Sequence, residues 1–188
     1  MPRLTVMFFL ALSGVALAQP APAQQTPAQQ TPAQQTPAAA QLNGLTPRQA
    51  LAKANQWRGA GGLQSYVTSE AIVFRFPGGQ QRSVPLPARQ MVVALAPYVN
   101  RTHPCETHYM SGCQGELVNR PVSLLVKNEA GKTVLNRTMK TLPNGFLELW
   151  LDRDQTYRVT LKAGGKAASG RLSTAAGSQT CITTLRLQ

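Results

Sequence analysis

The chain has 188 residues and carries 19 Lys and Arg against 7 Asp and Glu, a formal charge of +12, with 3 cysteines and 2 histidines. So few carboxylates leave little material for paired-carboxylate catalysis, and the hydrolase signatures G-x-S-x-G and H-E-x-x-H are absent. The basic residues never stand side by side, so they build no nucleic-acid-binding run; they read as a solubilising surface weakly attracted to anionic envelopes.

In chain order, the first feature is an export leader. Arg3 precedes an apolar stretch, Leu4 to Ala18, which closes on Ala16-Leu17-Ala18, a small-x-small cleavage signal. The stretch is too short for a membrane span, which needs about 20 apolar residues. Residues 1–18 are therefore expected to be a signal peptide with Gln19 as the new N-terminus, and the mature protein to be soluble and not membrane-spanning. Residues 19–41 contain three copies of Gln-Gln-Thr-Pro-Ala, starting at positions 24, 29 and 34. Uncharged and with almost nothing to bury, this tract is expected to be a disordered Pro/Gln/Ala-rich linker.

The remainder is expected to fold in two parts, 42–100 and 101–188. Thr46-Pro47-Arg48-Gln49 combines an N-cap Thr, Pro at the first helical position and a capping-box Gln, which predicts a helix over roughly 47–58 that stops at the glycines beyond it. Residues 71–76 and 81–86 flank Pro77-Gly78-Gly79 as a β-hairpin. Met91 to Val99 is a further apolar strand interrupted by Pro97. Beyond residue 116, strands are expected at 122–127, 132–137, 146–151, 156–162 and about 180–187, punctuated by turn signals such as Pro143-Asn144-Gly145. The fold class is mainly β (α+β): a short N-terminal helix and β-hairpin lobe followed by an antiparallel β-sandwich-like domain.

One stretch is chemically dense. THPCETHYMSGCQGE, residues 102–116, holds both histidines, His103 and His108, and two of the three cysteines, Cys105 and Cys113; the third, Cys181, lies on the last strand. Two readings of these residues stay open. One is a structural disulfide between Cys105 and Cys113, which an oxidising compartment favours and which leaves an odd thiol at Cys181. The other is a metal site, since thiolate and imidazole together suit tetrahedral zinc or, through the soft thiolates, Cu(I). The spacing H-x-C-x-x-H-x(4)-C matches no common zinc module and does not choose the metal. Met110 reads as packing, with a soft thioether ligand as its other use. Glu116 reads as a solvated carboxylate or as a partner of a histidine.

The segment THPCETHYMSGCQGEL, the lone cysteine of SQTCITTLRL, the lead-in APYVNRTHPC and the run GFLELWLDRDQTYRV together resemble the CueP family of periplasmic copper-binding proteins. The likeness extends over most of 42–188. The resemblance implies that Cys105, Cys113 and Cys181 are the copper thiols, with His103 and His108 as imidazole contributors. It also implies a periplasmic location and a role in copper resistance. The implied activities are holding copper as Cu(I) or Cu(II), cysteine-driven reduction of Cu(II) to Cu(I), and delivery to a periplasmic Cu,Zn superoxide dismutase. Recovery of oxidised thiols would draw on a periplasmic disulfide isomerase or reductase. On this reading the protein is not an enzyme, any copper reduction being stoichiometric. The competing classes are a thiol–disulfide redox protein, whose usual C-x-x-C signature is missing, and a disulfide-stapled envelope binding module.

Overall fold

A computed structural model describes residues 36–188; the expected signal peptide and the linker up to residue 35 lie outside the described residues. The described residues form one compact unit. In chain order the elements are α1 (Pro37–Ala40), α2 (Pro47–Gln56), β1 (Gln64–Val67), β2 (Ala71–Arg75), β3 (Gln81–Pro85), β4 (Gln90–Leu95), β5 (His108–Tyr109), β6 (Pro121–Asn128), β7 (Thr133–Lys140), β8 (Leu147–Asp152), β9 (Thr156–Ala163), β10 (Lys166–Ser173) and β11 (Cys181–Ile182). The architecture is mainly β, with antiparallel sheets and few short helices, as the strand-and-turn pattern requires. No helix among the described residues is long and apolar enough to cross a membrane.

The end of the repeat tract differs from expectation. Its last Thr-Pro pair caps a helical turn: Thr36 Oγ1 accepts the Ala39 N–H at 3.3 Å, and the Thr36 N–H and hydroxyl both donate to Gln80 Oε1. Ala39 and Leu42 are buried in a core shared with Leu51 and Phe74, so residues 36–41 belong to the fold. Tertiary packing holds this turn, because an isolated helix of that length is not stable. The second helix forms as its capping box demands, with Thr46 and Gln49 bonded reciprocally, and it buries Ala50, Leu51 and Ala54.

Three sheets result. The first has the order β3-β2-β1-β5 and the second β10-β9-β6-β7, both antiparallel throughout. The third, β11-β4-β8, pairs β4 antiparallel with β8 and parallel with β11. It is covered on both sides. Met91, Val93 and Leu95 of β4 join Leu147, Leu149 and Leu151 of β8 in one core with Leu124, Val126, Val159 and Leu161 of the second sheet. The alternate residue Val92, with the half-buried Trp150, packs instead into the core of the first sheet and α2. Burial on both faces explains why Met91 to Ala96 is an unbroken apolar run rather than an alternating one.

Candidate metal centre

The dense stretch is stitched between two sheet edges. The Ala94 N–H donates to the Thr180 carbonyl at 2.8 Å and the Ala96 N–H to that of Ile182 at 2.9 Å, which sets Cys181 beside Ala94 on β4. The N–H groups of Thr180 and Cys181 both donate to the Glu106 carbonyl, at 2.9 and 3.1 Å. Thr180 Oγ1 accepts the His108 N–H at 3.0 Å and donates to the Val67 carbonyl at 2.7 Å, while His108 itself pairs with Val67 across β1 and β5. One threonine thus ties the site loop to both the first and the third sheet.

A tight return then brings Cys113 back beside His108. The Cys113 N–H donates to the Tyr109 carbonyl at 2.8 Å, and Arg58 Nη1 donates to the carbonyls of Met110 and Cys113 at 3.1 and 2.7 Å. The loop leaves by passing close to the β-turn before β8. The Gly115 N–H donates to the Asn144 carbonyl at 2.7 Å, and a Cβ on Gly115 would stand 2.8 Å from the Gly145 carbonyl oxygen. A side chain at either glycine would therefore push the loop off β8.

All five expected donors come together, in two groups. His103, Cys105 and Cys113 each offer an atom within 4.8 Å of the others, and so do His108, Cys113 and Cys181. The Cys105 and Cys113 sulfurs are 3.3 Å apart. The three cysteines are free thiols, so the structural disulfide considered between Cys105 and Cys113 is not formed. The sulfurs sit in a small core of Ala94, Ala96, Cys113, Phe146 and Cys181, with Cys105 at its edge. Alanines at 94 and 96 leave room where the other positions of the 91–96 run carry larger side chains. The His108 ring lies 4.6 Å from the Phe146 ring, centroid to centroid. His103 Nε2 and His108 Nδ1 are both buried without a hydrogen-bond partner, an unfavourable state that a ligand would relieve.

The thiols divide the charge unequally. Cys113 is pulled down to about 3, chiefly by a hydrogen bond from Cys181, and further by His108, the Tyr109 amide and Cys105. Cys105 is pushed up to about 11 by burial and by its contact with the charged Cys113. Cys181 is pushed up by its hydrogen bond to Cys113 and by burial. The hydrogen bonds thus favour a thiolate at Cys113 over its two neighbours. Burial alone would depress His108, but Cys113 and Glu148 outweigh it and raise its pKa.

Glu148 is the site residue that the linear pattern does not mark. Its Oε1 lies 3.1 Å from His108 Nε2, and both of its oxygens accept from Asn55 Nδ2, at 2.9 and 3.0 Å. Asn55 Oδ1 in turn accepts from Asn144 Nδ2 at 3.4 Å. The only hint in the chain is a carboxylate set among alternating leucines in LELWLD, on a strand whose other face is also covered. Glu116 partners no histidine. It accepts the N–H groups of Val99, Asn100 and Arg101 at 2.6, 3.0 and 3.3 Å, and these bonds hold its carboxyl below the usual range. Met110 is fully buried in the core around α2 and is packing.

A family model described as periplasmic copper-binding protein CueP matches residues 49–186. The solved crystal structure titled S.CueP is 33% identical, with a TM-score of 0.74, covering 80% of this chain and 94% of its own. No curated protein matches the chain significantly.

Proposed function

The chain belongs to the CueP family of periplasmic copper-binding proteins, and on that premise we propose that it holds copper as Cu(I) on Cys105, Cys113 and Cys181 with the imidazoles of His103 and His108. The observation that carries this reading is the convergence of both donor groups on the Cys113 sulfur with no carboxylate oxygen in either. Thiolate and imidazole donors are the soft set that Cu(I) prefers, and hard cations seek oxygen. Metal displaces protons from thiols, and the sulfur whose ionisation its hydrogen bonds favour, Cys113, is the one both groups share.

Reduction of Cu(II) follows from the same sulfurs as part of the proposal. Two thiolates form one S–S bond and release two electrons, each taken by a Cu(II) ion to give Cu(I); the thiol protons go to solvent. The 3.3 Å approach of Cys105 and Cys113 supports that pair as the source. The reaction is stoichiometric: recovery requires an external dithiol, which we assign to a periplasmic disulfide isomerase or reductase. Copper resistance and delivery of Cu(I) to a Cu,Zn superoxide dismutase complete the proposed role, with export by a leader cleaved after Ala18.

The test is an anaerobic Cu(I) titration of the reduced protein against a competing chromophoric chelator. Uptake near one equivalent, lost in Cys113→Ser, is the expected result. Full retention of binding by Cys113→Ser would overturn the thiolate site.

A further inference from the structure

The two donor groups are not equivalent. The outer one contains the half-buried His103 and Cys105 and lies under a surface depression lined by Gln64, Pro104, Tyr109 and Gln114. The inner one contains His108 and Cys181, which are 0% and 1% exposed. Cys113 belongs to both. Each group also has its own orphaned imidazole nitrogen, Nε2 of His103 outside and Nδ1 of His108 inside. Each group therefore brings its own unpartnered imidazole nitrogen and its own second thiol to the shared Cys113 sulfur.

We infer that copper occupies two successive stations in this protein, an entry station on His103, Cys105 and Cys113 and a storage station on His108, Cys113 and Cys181, with Cys113 handing the ion from one to the other. The inference rests on the Cu(I)-holding reading above. The transfer is ligand exchange without change of oxidation state. The bonds from Cu(I) to His103 and Cys105 break and those to His108 and Cys181 form, while the bond to the Cys113 sulfur is kept throughout. The proton that Cys181 gives up passes to Cys105, directly or through solvent, so the charge of the centre is unchanged. Cu(I) exchanges through such associative steps without leaving the Cys113 thiolate, which suits a protein that must hold the ion tightly and still release it.

The experiment is stopped-flow loading of the reduced, full-length protein from a Cu(I)–chelator complex, and removal by excess chelator, alongside equilibrium titration. In His103→Ala and Cys105→Ser the expected outcome is loading and removal slowed about tenfold or more with equilibrium affinity kept, the usual signature of a lost exchange path. In His108→Ala the expected outcome is affinity lowered at least about tenfold with the first loading phase preserved. Equal losses of affinity in His103→Ala and His108→Ala, with the same change in loading and removal rates in both, would establish one shared position and overturn the relay alone. Unchanged rates and affinity in both outer variants would also overturn it. Failure of the wild-type protein to take up Cu(I) would overturn the copper-holding reading itself. Circular dichroism of each variant separates these results from misfolding, and His103→Ala, at a half-buried loop position, serves if Cys105→Ser does not fold.

Discussion

The residue with the clearest consequence is Glu148. A neutral imidazole carries one proton, and a carboxylate 3.1 Å from Nε2 fixes that proton on Nε2, leaving the Nδ1 lone pair for metal. In Glu148→Gln the orienting charge is lost, and Cu(I) affinity should fall about 10- to 100-fold, measured by chelator competition. Glu116 makes a second prediction, on stability. Its folded pKa lies below its unfolded value, so the unfolded chain binds more protons in acid. Its contribution is present above the ordinary carboxylate range and is lost as pH falls through the folded pKa. Glu116→Gln should lower the melting temperature by about 3 °C at pH 7, a modest value because the group faces solvent. The gap between variant and wild type should close as the pH is brought down through the folded pKa. The crowding of His103, Cys105, His108 and Cys113 into one loop was legible in the sequence, because so many chemistry-bearing side chains are hard to attribute to packing, whereas Cys181 joined them only through the family resemblance. Glu148 was not legible, because only the pairing of β8 with β4, and the loop packed over them, brings it to His108.

At the scale of elements, the turn at Asn144-Gly145 and the site loop depend on each other. Gly145 has φ of 81°, and a Cβ there would stand 2.6 Å from the Gly115 carbonyl oxygen. Gly145→Ala combines that backbone strain with a main-chain clash and should cost about 2–4 kcal/mol in urea unfolding. It should also loosen copper binding, since the loop it displaces carries Cys113. The turn itself was readable from Pro-Asn-Gly, but its contact with Gly115 was not, being a tertiary approach between backbones. Other elements show the same divide. The capping box of α2 and the hairpin of β2 and β3 follow from local chemistry and appear where expected. β10 was not expected, since Lys166–Ser173 buries only Ala168 and Leu172 and carries Gly170, a weak strand signal. The strand expected at 180–187 shrinks to Cys181–Ile182, with Tyr98 and Arg186 making an isolated bridge beyond it.

For the whole molecule, the decisive feature is the third sheet, which both main cores share. Strand β4 arises in the first half of the chain yet lies between β8 and β11 of the second half, so neither half completes its core alone. Both tryptophans, Trp57 and Trp150, pack against the core around α2, while the other core contains none. Tryptophan fluorescence therefore reports one core, and far-UV circular dichroism the strands of both. The two signals should give coincident urea transitions, as one cooperative unit requires; a separated pair of transitions would show independent lobes at 42–100 and 101–188. The mainly-β class was legible from turn spacing, but the sharing was not, because an apolar strand does not reveal which partners cover its two faces. The place of Cys181 on β11 adds a matter of timing. On the proposed route of export, a chain that emerges N-terminus first presents Cys105 and Cys113 well before Cys181 arrives. During that interval the pair has neither its third sulfur nor the edge of β4 on which to settle. On that route a newly exported copy meets oxidants before its set of three thiols is complete.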